Sequence, residues 1–208
     1  MSRHAGTGQR VFVHANPAKH CDLHGRDDLA HVLLTVGAGA MDLYDAKDRI
    51  AVALVESVFR RARYRVRPFQ NEPGLRFIRD DWTPSFHAAL AADDGNEREF
   101  LIEVTYRPFV EQFIALENQR RDASVFVLAR QHWPALRSVV VTDHPEQGRS
   151  CFQAVVLGSP RGERLGTVDL ADAGEFAIFA HNVADHEELL TRIFAMLSTD
   201  KYRHATRV

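Results

Sequence analysis

Apolar side chains recur at helical spacing over residues 42–63. They lie every four positions, at Ile50, Leu54, Val58 and Ala62. Such spacing is typical of a helix that buries one face. Acidic residues precede this stripe and arginines end it, which is the charge order that the helix dipole favours. The pattern therefore predicts a long helix from Asp42 to Arg63.

The same periodicity predicts three more helices further along the chain. One spans Phe109–Arg120, and another spans Asp185–Leu197, where Asp185 and Glu188 have the spacing of a capping box. The segment Ala123–His132 is compatible with a helix or a strand. We interpret it as a helix because Trp133-Pro134 ends it.

Short runs rich in β-branched and aromatic residues predict the strands. The clearest signal is a hairpin, because Pro84–Ala91 and Glu99–Tyr106 flank the turn-forming sequence Asp93-Asp94-Gly95-Asn96. The other predicted strands are Val11–Ala15, Tyr64–Phe69, Leu75–Ile78, Ser138–Thr142, Cys151–Leu157 and Glu175–Ala180. Because helices and strands alternate in groups, we predict an α/β or α+β fold in which helices flank a mixed sheet.

The chain of 208 residues is long enough for one domain with an appendage. We predict a single α/β domain over residues 42–208, with a core at about 42–142 and an extension at about 143–208. Residues 1–41 form an N-terminal extension for which the pattern predicts no clear structure. The sequence contains neither a signal peptide nor an apolar run of about 18 residues, so we expect a cytoplasmic protein without a membrane partner.

Charge narrows the choice of partners. The formal net charge is −2 and the pI is near 6.6, so the global positive field of many nucleic-acid binders is absent. Only three of the 26 basic residues are lysines. A local basic cluster still makes phosphate contact a hypothesis, and its members are Arg61, Arg63, Arg65 and Arg67. The alternative is that these arginines cap a helix and pair with nearby acids.

Glu103 is the residue that points most directly to chemistry. It lies inside the apolar run Phe100–Tyr106, where an unpaired carboxylate costs on the order of several kcal/mol of desolvation. Side chains two positions apart on a strand share a face, so Thr105 and Arg107 lie on the same side as Glu103. A metal site would explain the acid. The alternatives are a water-facing edge position or an ion pair with an arginine such as Arg65, Arg67 or Arg107.

This hairpin, with Asp80-Asp81 and Pro84-Ser85 before it, resembles the PD-(D/E)xK nuclease superfamily, whose fold is called restriction-endonuclease-like. The resemblance covers about residues 42–142, including a leading helix that carries Glu56. It implies a mixed sheet flanked by helices and hydrolysis of nucleic acid with Mg²⁺ or Mn²⁺. Glu103 and Asp81 would then hold the metal with help from Glu56, while Thr105 and Arg107 would stand at the basic side of the catalytic site. Asp80 and Asp81 are alternatively turn residues.

The sequence departs from the family at two positions. The proline of the first motif is followed by Asp in the family but by Ser85 here, and the Lys of the second motif is replaced by Thr105. These replacements favour lost catalysis over an altered active site. The alternative hypothesis is a non-catalytic module of the same fold that binds a protein or nucleic acid, with a homodimer as one of its expected forms. A different α/β enzyme that acts on a small molecule is a third hypothesis.

Overall fold

The computed structural model describes residues 42–70, 75–77, 80–91, 97–158 and 164–205. The helices are α1 (Leu43–Arg61), α2 (Val110–Arg120), α3 (Val125–His132) and α4 (Ala180–Ala205). The strands are β1 (Arg65–Pro68), β2 (Leu75–Phe77), β3 (Asp80–Trp82), β4 (Phe86–Ala91), β5 (Glu97–Tyr106), β6 (Leu136–Val141), β7 (Phe152–Leu157) and β8 (Leu165–Asp169). The predicted strand at Val11–Ala15 and the extension over residues 1–41 lie outside the described residues.

The first predicted helix is confirmed as α1. Asp42 is its N-cap, and the Asp42 carboxylate accepts a hydrogen bond of 3.3 Å from the backbone N–H of Tyr44. Two arginines stand in its last turn, Arg60 and Arg61. The buried apolar stripe matches the sequence pattern and consists of Ala51, Leu54, Val55, Val58 and Phe59.

Six strands form one mixed sheet in the order β1-β4-β5-β6-β7-β8. All neighbours are antiparallel except β5 and β6, which are parallel. A parallel connection has to cross one face of the sheet, and α2 and α3 provide this crossover. The prediction of an α+β fold with a mixed sheet flanked by helices is therefore confirmed. Strands β2 and β3 pair in a separate two-stranded sheet.

Each face of the sheet has its own core. The larger core joins the sheet to α1 and α4, and Phe59 at its centre makes edge-on contacts with Tyr64, Phe86 and Phe176. The smaller core joins the other face to α2 and α3 and includes Val110, Ile114, Phe126, Val140 and Val155. Among the described residues, no helix is long and apolar enough to cross a membrane.

The structure corrects two predictions near the C-terminal helix. Glu175–Ala180 is not a strand, because Gly174–Phe176 forms a 3₁₀ turn and α4 already begins at Ala180. The aromatic and β-branched residues that suggested a strand, Phe176 and Ile178, are instead separate apolar contacts in the larger core. Asp185 consequently lies inside α4 rather than at its cap, and it forms an ion pair of 2.6 Å with Arg61.

Two strands, β3 and β8, were not predicted from the sequence. Asp80 and Asp81 belong to β3, where Asp81 lies opposite Arg76. Strand β8 has few apolar residues and lies at the edge of the sheet. There the backbone of Leu165 forms hydrogen bonds with a side chain. The Asn118 amide accepts a hydrogen bond from the N–H of Leu165 at 2.7 Å and donates one to its carbonyl at 2.9 Å. Asn118 thus occupies the place that a further strand would need at this residue.

Candidate functional site

Polar side chains gather where the parallel strands β5 and β6 end, close to the start of α1. We call this group the carboxyl-end cluster, and it consists of Tyr44, Lys47, Asp48, Glu103, Tyr106, Arg107 and Asp143. Ligand sites of α/β proteins often lie at the carboxyl ends of parallel strands. Several titratable groups with perturbed pKa values also gather here, which is a second reason to examine it as a functional site.

The cluster exists because β4 begins only opposite Ile102, so the last residues of β5 extend beyond it. The last pair in their ladder is Phe86 opposite Ile102, so the rest of β5 lacks a strand partner on that side. Side chains provide the hydrogen-bond partners for these backbone groups. The N–H of Val104 donates to the Ser85 hydroxyl at 3.0 Å, and the N–H of Tyr106 donates to the Asp48 carboxylate at 2.7 Å. The Tyr106 carbonyl accepts a hydrogen bond of 2.6 Å from the Tyr44 hydroxyl.

Glu103 is nearly inaccessible to solvent, with 4% of its surface exposed. Its neighbours Ile102 and Val104 belong to the larger core, so the alternation of a strand turns Glu103 toward the α2 and α3 face. Ser138 lies opposite on β6 and forms a hydrogen bond with the Glu103 carboxyl group. The second carboxyl oxygen, Oε2, has no hydrogen-bond partner among the described residues.

Burial controls the protonation of Glu103. It raises the pKa of the carboxyl group to about 8, although the Ser138 hydrogen bond and the charge of Arg107 act to lower it. The nearby charge of Asp48 raises the pKa further. Without a bound cation, the carboxyl group therefore favours its neutral, protonated form at pH 7.

Arg107 is held by aromatic and backbone groups rather than by Glu103. Its guanidinium lies 4.4 Å from the centre of the Phe113 ring and hydrogen-bonds the Tyr44 hydroxyl and, at 2.7 Å, the Tyr106 carbonyl. Among the described residues, no ion pair joins Glu103 to an arginine, so the predicted structural salt bridge is not formed. Arg65, one of the proposed partners, instead pairs with Glu97.

A buried lysine forms the other half of the cluster. The Lys47 ammonium lies 2.6 Å from the Asp143 carboxylate and 3.2 Å from the Tyr106 hydroxyl, which itself donates to Asp143 at 2.7 Å. Burial alone would raise the pKa of Asp143, but the hydrogen bonds from Lys47 and Tyr106 bring it below its ordinary value. Burial, together with the hydrogen bond to Asp143, raises the pKa of Tyr106. These three side chains fasten α1 to the ends of β5 and β6.

The structure brings only part of the predicted site together. Glu103, Thr105 and Arg107 follow one another on one face of β5, and Thr105 is buried. Glu56 lies two helical turns from Asp48 and pairs with Arg60 at 2.8 Å. Asp48, rather than Glu56, is the α1 acid whose charge acts on Glu103. The side chain of Asp81 lies outside the described part of the molecule.

Five members of the cluster were not predicted from the sequence: Tyr44, Lys47, Asp48, Tyr106 and Asp143. The acids at the start of α1 were explained by the helix dipole, which conceals the role of Asp48 as a partner for β5. Asp143 follows a buried strand directly, and such a position does signal an edge site once β6 is known to run parallel to β5. Lys47 lies in phase with the buried stripe of α1, four residues before Ala51 and seven before Leu54, so the helical periodicity could have indicated its burial.

The four arginines of the predicted basic cluster differ in whether they form ion pairs. Arg61 pairs with Asp185 and Arg65 pairs with Glu97, as expected for arginines that neutralise nearby acids. Arg63 and Arg67 have no ion pair within the described ranges. Arg67 lies beside His87 across β1 and β4.

The acids of the carboxyl-end cluster do not form an open set of oxygen ligands. Asp48 is bonded to the Tyr106 amide, Asp143 to Lys47, and Glu103 to Ser138. Within the described ranges, His, Cys, Asp and Glu side chains form no group of three that could hold a metal ion. The Mg²⁺ or Mn²⁺ site that the family resemblance implies stays a prediction, because the side chain of Asp81, one of its expected ligands, lies outside the described residues. Comparison with known proteins adds no further assignment: no family model, curated protein or solved structure matches the chain.

Proposed function

We propose that this chain is a non-catalytic interaction module with a restriction-endonuclease-like core. The order of α1, β1, β4, β5, the crossover helices and β6 is compatible with that core. The observation that carries the proposal is the setting of Glu103, which is buried and hydrogen-bonded to Ser138, while the neighbouring acids Asp48 and Asp143 are bonded to other protein groups. A carboxyl group in this state contributes to packing, whereas metal-dependent hydrolysis needs charged carboxylates that converge on a cation.

The two departures from the family motif support the same proposal. Ser85 takes the position of the first acid, and its hydroxyl is occupied by the N–H of Val104. Thr105 takes the position of the lysine and is buried, so it supplies no cation to an attacking water or a phosphate. Both replacements turn positions of the family's active site into parts of the fold.

A metal-dependent nuclease with an altered site is the competing function, and one observation favours it. Glu103 Oε2 is buried without a hydrogen-bond partner among the described residues, and Asp48 has a raised pKa, caused mainly by burial. A divalent cation would satisfy both groups, provided that Glu103 gives up its proton.

Calorimetric titration with Mg²⁺ and Mn²⁺ separates the two functions when it is repeated on Glu103→Gln. The variant keeps the shape of the neutral side chain but cannot become a carboxylate. We expect no saturable binding to either protein, and no cleavage of single- or double-stranded DNA and RNA. Saturable binding that is lost in Glu103→Gln, together with metal-dependent cleavage, would establish the nuclease instead. An equally folded Glu99→Gln variant, changed at an exposed position of the same strand, is the matched control.

A further inference from the structure

A groove lies beside β1, on the open side of the sheet. It has a volume of about 390 Å³ and is lined by Arg67, Pro68, Gln70 and His87. This volume falls in the range of about 300–1,000 Å³ that is common for ligand sites. Arg67 and His87 are direct cross-strand neighbours on β1 and β4, so the two strands fix their separation.

The polar groups of the groove are suited to an anion. Arg67 contributes a guanidinium that is exposed and has no acid partner in the described part of the chain. Gln70 adds an exposed amide, His87 adds a half-buried imidazole, and no carboxylate belongs to the lining that the described residues form. The contrast with Arg65 is informative, because Arg65 is neutralised by Glu97 although it belongs to the same strand.

An aromatic layer supports the groove from beneath. The His87 ring stacks on Phe69 with a centroid distance of 5.5 Å and an interplanar angle of 21°. Phe69 in turn contacts Trp133 edge-on at 6.0 Å. His87 is therefore held in one orientation before any ligand arrives, which reduces the entropy cost of binding.

We propose that this groove binds a phosphate group that belongs to a nucleotide or to a single-stranded nucleic acid. A planar guanidinium matches the geometry of phosphate oxygens, and the imidazole and amide provide further donors. The groove is separate in sequence from the carboxyl-end cluster and contains no residue of it. This inference deepens the proposed function, because it gives the interaction module a class of partner.

The test is a fluorescence-anisotropy titration with a labelled oligothymidylate, in EDTA and at several salt concentrations, followed by displacement with ADP and with inorganic phosphate. Arg67→Ala is compared with Arg49→Ala, which removes an exposed arginine of α1 from outside the groove. We expect saturable binding that Arg67→Ala weakens roughly tenfold. The slope of the logarithm of the binding constant against the logarithm of the salt concentration should also become shallower by about 0.7. This is the contribution of one phosphate contact on a single strand. Gln70→Ala, also at an exposed position, should weaken binding in the same direction.

The displacement arms identify the source of the phosphate. Displacement by ADP supports a nucleotide ligand, and binding of the oligonucleotide that ADP does not displace supports a nucleic-acid chain. Absence of saturable binding by both ligands would overturn the proposal, as would equal losses in Arg67→Ala and Arg49→Ala. Because the assay contains no divalent metal, its failure leaves the proposed lack of catalysis untouched. Metal-dependent cleavage would overturn that function without deciding what the groove binds.

Discussion

Replacing Glu103 by glutamine should make the stability of the protein less dependent on pH. The folded carboxyl group has a pKa of about 8, whereas the ordinary value is 4.5. Between these values the folded chain holds a proton that the unfolded chain has released, so the free energy of unfolding decreases as pH rises. The loss begins near pH 4.5 and is complete above about pH 8. Its upper bound is on the order of 5 kcal/mol, since each pKa unit corresponds to roughly 1.4 kcal/mol.

Urea denaturation of the wild type and of Glu103→Gln at half-unit steps from pH 5 to pH 9 measures this effect. Glutamine does not titrate, and other groups contribute equally to both proteins, so the difference between the two free energies isolates Glu103. We expect that difference to shift in favour of the variant by up to roughly 1.4 kcal/mol per pH unit, and to level off above pH 8. Glu99→Gln, changed at an exposed position of β5, should show no such trend.

Two results would refute the reasoning. A difference that stays constant from pH 5 to pH 8 would mean that Glu103 is not held neutral by the fold. A difference that is constant above pH 5 but moves against the wild type when the series is extended below about pH 4.5 would mean that Glu103 is a charged partner of an arginine or a metal, because a group with a lowered pKa loses its stabilisation as pH falls.

Three further substitutions test other contacts. Lys47→Met leaves the buried Asp143 without its cation and should lower the free energy of unfolding by about 3–5 kcal/mol in urea, with partial recovery when Asp143→Asn is added. Asn118→Ala removes both hydrogen bonds to Leu165 at the edge of β8, and thermal unfolding should show a loss of about 1–3 kcal/mol. Burial lowers the pKa of His186, so its contribution to stability is lost as pH falls below about 6.5. His186→Gln should therefore lose less stability than the wild type as pH falls below this value. Denaturation at a series of pH values measures the effect, and an equal loss in both proteins would contradict it.

Local patterns in the sequence were sufficient for much of the fold. The stripe of α1 and the β4–β5 hairpin depend on periodicity and on a turn sequence, and both are confirmed. Strand β8 escaped prediction because its pairing with β7 and its contact with Asn118 depend on distant parts of the chain. The Phe176 segment was misinterpreted because aromatic and β-branched residues fit separate contacts in a core as well as they fit a strand.

The candidate site was also predictable only where local sequence decides the outcome. The burial of Glu103 follows from its apolar neighbours and was anticipated. Its partner was not, because Ser138 is brought opposite it only by the parallel register of β5 and β6. The role of Asp48 likewise depends on where β4 begins, and a helix-dipole argument accounts for the same residue without any tertiary contact.

The side-chain pairing along the end of β5 has a consequence for hydrogen exchange. The Tyr106 amide belongs to a central strand, yet its acceptor is the Asp48 carboxylate of a helix. This proton is therefore expected to exchange whenever the start of α1 detaches, even while the six strands stay paired. The same opening uncovers an unpaired strand edge that can capture another chain, so the docking of α1 also guards the protein against aggregation.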